Sequence, residues 1–414
     1  MHISKYLTAV SVLALSCVVP AVAAAQDQDM TADVVHVFTT EAEQAAVNVL
    51  RESFEAQGGT WENVAIAGST GPLRETINLI LAGDPPSASQ FSSSQDYYDL
   101  VDQNMLASIN EVAEANNWRS VMPEPILDAM SRDGNIYLAP FALHTPNWLW
   151  YNAAVLEDVG IEPPQHLDES FFEAMDQVRD AGYIPFALSG VSSQLRFVFE
   201  GFLIDAGGAD NWNAVWRDKD EDAIRSEATR TAFERFRRVG DYADEGAVGR
   251  AWNQTLDLVV SERAAFDILG DWAMGSFNAA GMTVGEDFGC ILTGDTMIIH
   301  ADFFGFPKQG RDDTLTPAQR TFAESLVLPE TQIRFSLAKG SIPPRNDVDI
   351  SQFNMCAQIS YDAFSHDRVV GNARAAISPT GVGEYTDLLN EFMYNPNMSV
   401  DDAVDRFEEI VMNN

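Results

Sequence analysis

Short apolar segments alternate with amphipathic ones along most of the chain, and that alternation restricts the fold more than any other feature. Val34-Val35-His36-Val37-Phe38 has the content of a buried strand and runs into a segment with Val47, Leu50 and Phe54 at helical spacing. Thr40 and Glu43 give the Ser/Thr-x-x-Glu pattern with which helices begin. A second periodic segment carries Leu73, Ile77, Ile80 and Leu81 and stops at Gly83-Asp84-Pro85-Pro86. Ala88-Ser89-Gln90-Phe91 then reads as a strand, and Tyr97, Leu100 and Val101 as the apolar stripe of a helix. Strand–helix–strand order predicts an α/β layer architecture.

A second unit is expected after Ala139-Pro140-Phe141-Ala142. Trp148-Leu149-Trp150-Tyr151 reads as a strand, Val155 to Gly160 as a short helix, and Phe171, Phe172, Met175 and Val178 as the inner face of another helix ended by Gly182. Helices are predicted over 226–242, 256–267, 316–326 and 330–338. A strand is expected to return around Met297-Ile298-Ile299-His300, and Ser399 caps a last helix with Ala403, Phe407 and Ile410 inward. The chain has 414 residues, 46% of them hydrophobic, which is more than one core organises, since single cores stop growing near ~250–300 residues. With no repeat and no long linker, two α/β lobes joined by several crossings are expected.

Residues 1–25 have the layout of a cleaved secretory signal. Lys5 precedes an apolar run, Pro20 breaks it, and Ala23-Ala24-Ala25 offers a small-residue cleavage site before Gln26. Cys17 follows Ala14-Leu15-Ser16, where Leu stands one place too late for a lipidation site, so cleavage after Ala25 is expected instead of a lipid anchor. The remaining cysteines, Cys290 and Cys356, are expected to form a disulfide in an oxidising compartment, and they are too few for a four-cysteine zinc site.

The charge balance is one-sided: 62 Asp and Glu against 25 Lys and Arg, a net charge of -37. This argues against partners that need clustered cations, namely nucleic acid and anionic membrane surfaces, and favours a soluble monomer. The only lysines are Lys5, Lys219, Lys308 and Lys339, every other cation being arginine.

Signals for catalysis are sparse. The chain has no His-Glu-x-x-His, no phosphate-binding loop ending in Gly-Lys-Ser/Thr and no Gly-x-Ser-x-Gly elbow. Gly381-Val382-Gly383 lacks the third glycine of a dinucleotide loop, and the histidines show no metal-ligand spacing. No metal or cofactor is expected. Polar residues and aromatics near strand ends are instead the mix that holds a sugar, because carboxylates accept from hydroxyls while an aromatic face covers C–H surface.

Several longer stretches carry a family resemblance. They are Val35-His36-Val37-Phe38-Thr39 with Glu43-Gln44-Ala45-Ala46-Val47; Ala82-Gly83-Asp84-Pro85-Pro86; His144 with Asn147-Trp148-Leu149-Trp150; Gly270-Asp271-Trp272-Ala273; Phe335-Ser336 with Lys339-Gly340-Ser341-Ile342-Pro343 and Arg345-Asn346-Asp347; and Cys356-Ala357-Gln358. On these the chain resembles the periplasmic carbohydrate-binding proteins of ABC transporters, extracellular solute-binding family 1, in their glucose/mannose-binding branch. The resemblance implies an α/β periplasmic-binding-protein fold of type II, with hinged lobes and a cleft between them. It implies a first lobe of 26–143 plus 298–341 and a second of 144–297 plus 342–414. The implied activity is capture of a monosaccharide, disaccharide or sugar-like polyol by lobe closure and delivery to an ABC permease, without enzymatic turnover. A ligand-presenting sensor for a chemoreceptor or kinase is the alternative, and a secreted glycoside hydrolase a more distant one.

By the same resemblance Glu43 and Asp302 are expected to accept hydrogen bonds from ligand, Lys339 to donate them, and Trp272 and Phe38 to wall the cleft. Lys339 stands out in a chain that otherwise favours arginine. His144 is expected near the cleft at the first crossing. Trp148 and Trp150 are expected in the strand core, and Arg345 and Asn346 in interlobe pairing. The chain also departs from the branch. Val37-Phe38 replaces two consecutive tryptophans, Ser92 stands where the family has a lysine, His300 replaces an asparagine, and a late binding histidine has no counterpart near Ser378-Pro379-Thr380-Gly381. Glucose itself is therefore not the expected ligand, since each lost buried partner costs ~1–3 kcal/mol.

Overall fold

The computed structural model describes residues 30–67, 71–91, 94–122, 124–310 and 313–414. The expected signal of 1–25 and the candidate Ser92 lie outside the described residues. Strands follow in chain order as β1 (Thr31–His36), β2 (Thr60–Ala65), β3 (Ala88–Phe91), a small hairpin β4 and β5 (Ser131–Arg132, Asn135–Ile136), β6 (Leu138–His144), β7 (Trp148–Asn152), β8 (Ile184–Phe186), β9 (Ala264–Leu269), β10 (Phe288–Leu292), β11 (Met297–Ile298), β12 (His300–Gly305) and β13 (Val369–Val370).

They assemble into a five-stranded sheet of order β2-β1-β3-β12-β6 and a four-stranded sheet of order β10-β7-β9-β8. In the first, β1, β2 and β3 are parallel, while β12 runs antiparallel to both β3 and β6. The chain therefore leaves the first sheet after His144, returns to it at His300, and crosses a third time after Lys339, the end of a helix packed on β6. The helix Glu41–Glu55 starts where expected, with Thr40 and Glu43 forming a reciprocal cap. It packs against the helices Pro317–Leu326 and Pro329–Lys339. The second sheet carries the helices Ser192–Trp216, Glu227–Gly240, Pro379–Tyr394 and Val400–Asn413, joined through Phe199, Phe233, Tyr385, Phe392 and Phe407. Trp148 and Trp150 are fully buried, as expected of strand core.

Two expectations change. The segment 256–267 is not one helix: a helix Trp252–Val260 ends at a turn in which Glu262 takes φ +58°, and β9 begins at Ala264, the short apolar stretches on either side reading equally as buried helix or buried strand. Ala139–Ala142 lies within β6, whose seven residues are all buried, and the second sheet takes its first strand after it, at Trp148. The segment 297–300 is split between β11, which pairs with β13, and β12, which enters the first sheet.

The crossings are fastened to one another. Leu143 and Ile342 exchange backbone hydrogen bonds of 2.9 Å, tying the first crossing to the third. Asn147, 1% exposed, donates to Thr293 and Thr296 and accepts from the Ile298 amide at 3.1 Å, tying the first to the second. Gly340 has φ +89°, and a Cβ there would lie 2.5 Å from the Met274 side chain and 2.7 Å from the Asp271 carbonyl, so only glycine lets the third crossing pass.

Cys290 on β10 and Cys356 on the helix Met355–Ser365 are bonded, as expected, closing a sequence separation of 66 residues. A loop of that size predicts that the paired variant Cys290→Ala/Cys356→Ala loses about 2–4 kcal/mol, read as a lower urea midpoint. An unchanged midpoint would show that the bridge adds nothing to stability.

Candidate functional site

The antiparallel pair β6–β12 sets the floor of the site. His300 lies directly opposite His144, and Asp302 lies opposite Ala142. Residues opposite each other share a face, as do residues two apart on one strand, so all three polar side chains point the same way. The register slips between Asp302 and Phe303, a bulge that locally re-aims the strand.

His144 is 2% exposed and held on both ring nitrogens, with Nδ1 2.5 Å from Asp271 Oδ1 and Nε2 3.3 Å from Asp302 Oδ2. Asp271 is held in turn by the Thr145 amide at 2.9 Å. Burial alone would push the His144 pKa down, but Asp271 and then Asp302 outweigh it and raise it to about 9, so the ring is an imidazolium at neutral pH.

His300 is the opposite case: burial, with Arg374, His144 and Arg196 acting alongside it against Asp302, lowers its pKa to about 3. Its tautomer follows from its neighbour. Asn372 Oδ1 accepts from the Arg374 amide at 2.9 Å, which turns its Nδ2 towards His300 Nδ1 at 3.2 Å. Nδ1 must then accept, and the proton resides on Nε2.

Above this floor lies a cavity of about 350 Å³. On the first-sheet side it is lined by Phe38, Glu43, Asp302 and Lys339, and on the other side by Gln194, Arg196, Phe197, Trp252, Trp272 and Arg374. Glu43 works in two directions. Oε2 accepts from the Thr39 and Thr40 amides at 3.1 and 3.0 Å, closing the helix cap, while Oε1 lies 3.7 Å from Lys339 Nζ. Lys339 is 8% exposed and ends its helix, where a cation meets the negative end of the helix dipole. Trp272 is half-buried and touches His144, His300 and Phe197 edge-on or tilted. Gly270 gives its indole room, since a Cβ there would lie 2.2 Å from the ring.

Seven of the expected residues therefore line one cavity: Phe38, Glu43, His144, Trp272, His300, Asp302 and Lys339. Phe38 is only 1% exposed and packs edge-on against Phe141 and Phe335, so most of its ring serves the core. Arg345 lies away from the cavity, bound to Asp347 and to the Val327 carbonyl. Sequence reasoning missed Gln194, Arg196 and Phe197, which sit in the first turns of the helix Ser192–Trp216. That helix is apolar nearly all round and kinks at Gly208, so it shows no stripe to find. Trp252 was passed over at the start of its helix, and Arg374 sits on a four-residue helix with no sequence signal.

Comparison with known proteins places this geometry. A profile of the bacterial extracellular solute-binding proteins matches residues 50–355. A "probable sugar-binding periplasmic protein" of Brucella melitensis is 30% identical over 92% of this chain and 92% of its own length. One of the same description from Rhizobium meliloti is 30% identical over 86% of this chain and 84% of its own. Among solved structures, a chitin oligosaccharide binding protein aligns with TM-score 0.78 at 16% identity over 92% of this chain and 98% of its own. A maltose-bound T. maritima MalE3 aligns with TM-score 0.75 at 14% identity, over 92% and 99%. At such identities these two structures show the shared two-lobed fold.

The His144 imidazolium yields a pH prediction. Its folded pKa lies above the unfolded value of about 6.5, so its contribution to stability is complete below about pH 6.5 and is lost as pH rises through about 9. Urea midpoints at about pH 6 and about pH 9.5 should show a loss on the order of 1–3 kcal/mol that His144→Gln removes. The same loss in wild type and variant would place the titrating group elsewhere.

Proposed function

The chain belongs to the bacterial extracellular solute-binding protein family, and we propose that it captures a small carbohydrate or sugar-like polyol between its lobes and delivers it to the permease of an ABC importer. The observation that carries this reading is the cavity. Carboxylates, a lysine, a neutral histidine and a tryptophan face converge there from both sheets, at the place where the chain crosses between them. Glu43 and Asp302 accept from ligand hydroxyls, Lys339 and His300 Nε2–H donate to them, and Trp272 covers a C–H face. The lobes of the reading are 26–143 plus 298–341 and 144–297 plus 342–414, with export to the periplasm by the leader 1–25. The Brucella and Rhizobium relatives, both described as probable sugar-binding periplasmic proteins, support sugar as the ligand class and the periplasm as the location. Binding is the whole activity in this reading, with no bond made or broken.

Micromolar capture needs about -8 kcal/mol, within reach of a few desolvated hydrogen bonds and one stacked ring. Closure is a population shift towards the state in which ligand touches both walls. A thermal-shift screen over sugars and polyols should find a ligand that raises the melting temperature by mass action. Trp272→Ala and Lys339→Ala should each abolish most of that rise, and oligosaccharides incubated with the protein should be recovered uncleaved. Undiminished shifts in both variants would remove the site, and cleavage products would replace binding with hydrolysis.

A further inference from the structure

The wall that the helix Ser192–Trp216 adds to the cavity is fastened on both sides of one side chain. Its start is pinned to the loop before Trp252. The Gly190 amide donates to the Ala247 carbonyl at 2.8 Å, Ser189 Oγ donates to the Arg250 carbonyl at 2.6 Å, and the Val191 amide donates to Ser189 Oγ at 3.3 Å. Further along, Arg196 is already committed. It is 3% exposed, its Nη1 donates to Glu200 Oε1 at 2.8 Å, and its guanidinium lies 4.5 Å from the Phe197 ring centre. Phe197 in turn packs tilted against Trp272, with ring centres 5.3 Å apart.

Gln194 stands between these two anchors, in the first turn of the helix, and is 8% exposed. Its side chain lines the cavity, yet its Oε1 is buried without a hydrogen-bond partner. Among the described residues that line the cavity, no other buried side-chain nitrogen or oxygen is left in that state. The groups around it contrast with it: Glu43 closes its helix cap and faces Lys339, and His144 is held on both ring nitrogens. An acceptor buried without a donor is costly, and nearly all such groups in folded proteins are satisfied. The described residues do not satisfy this one, and its amide borders the ligand cavity.

We propose that Gln194 is a residue with which this protein selects its sugar, exchanging hydrogen bonds with adjacent ligand hydroxyls. The inference rests on the sugar-capture reading and deepens it, by assigning selectivity to one side chain on the wall opposite Glu43 and Lys339. A primary amide carries a donor and an acceptor side by side, and a half-turn of its terminal bond presents either one to the cavity. It therefore fits neighbouring hydroxyls, one giving a proton and one taking it. A ligand without the donating hydroxyl leaves the buried oxygen unmet, and a site built to bond a hydroxyl discriminates strongly against the analogue that lacks it. With the helix start fastened and Arg196 taken up by Glu200, the contact has a fixed position, which turns a hydrogen bond into selectivity.

Calorimetric titration of the mature protein with D-glucose, D-galactose, D-mannose, D-xylose, maltose and D-mannitol finds the tightest-binding probe. The monodeoxy forms of that probe then test the proposal in wild type and in Gln194→Met. Methionine keeps nearly the same length and volume and removes the hydrogen bonds. The variant should bind the parent probe about tenfold to a hundredfold more weakly, with a ligand-free melting temperature equal to or above wild type, since an unmet buried acceptor is gone. Wild type should lose a similar factor with the deoxy form at one position or at two adjacent ones, and in those forms the gap between wild type and variant should close or narrow. Gln194→Leu repeats the cycle if the methionine variant does not fold. Unchanged affinity for the parent probe in the variant would overturn the assignment and leave capture standing. A gap of the same size for the parent and for every monodeoxy form would also overturn it, by showing that the substitution acts on the wall as a whole. A wild-type protein that binds none of these probes, and shows no shift in the wider sugar and polyol screen, would bring down the capture reading and this inference with it.

Discussion

A buried imidazolium between two carboxylates holds the middle of this molecule. His144 closes the last strand of one sheet, Asp302 lies on the neighbouring strand, and Asp271 follows the central strand of the other sheet. Removing one partner of such a triad would strand a charge out of water, at a cost on the order of 3–5 kcal/mol. The arrangement therefore fixes where the chain crosses between sheets. Asn147 and the Leu143–Ile342 pair then fasten the remaining crossings to the same point. The cavity is a consequence: side chains that leave the crossings have nowhere to point but into the gap between the sheets.

Charge is distributed with the same economy. The chain is strongly acidic, which keeps exported surfaces hydrated and mutually repelling. Its cations are mostly arginine, and many are spent in surface pairs such as Arg225 with Asp405 and Glu408, or Arg368 with Asp295 and Asp362. Exposed pairs of this kind contribute little to stability. Arg196 and Lys339 at the cavity are paired out of water instead, with Glu200 and Glu43, where low dielectric strengthens the attraction.

Much of this was legible in the sequence, and the limits have physical causes. Thr40 and Glu43 announced a helix start that the structure shows as a reciprocal cap. The scarcity of lysine singled out Lys339, which is buried against Glu43. The amphipathic helices 169–180 and 400–413 were readable because one face meets solvent. The helix 192–216 was not, because solvent reaches too little of it to leave a polar stripe, and the wall it builds stayed hidden with it. The segment 256–267 misled for a related reason, since buried helix and buried strand share a composition. Arg374 reaches the cavity only through folding that brings residues far apart in sequence together, which no local pattern encodes.

The central claim is that one small ligand engages both walls at once. Amide hydrogen exchange with and without a bound sugar tests it directly. Protection should rise together at 37–43 on one wall and at 194–197 and 271–275 on the other. Protection confined to one wall would contradict capture between the lobes.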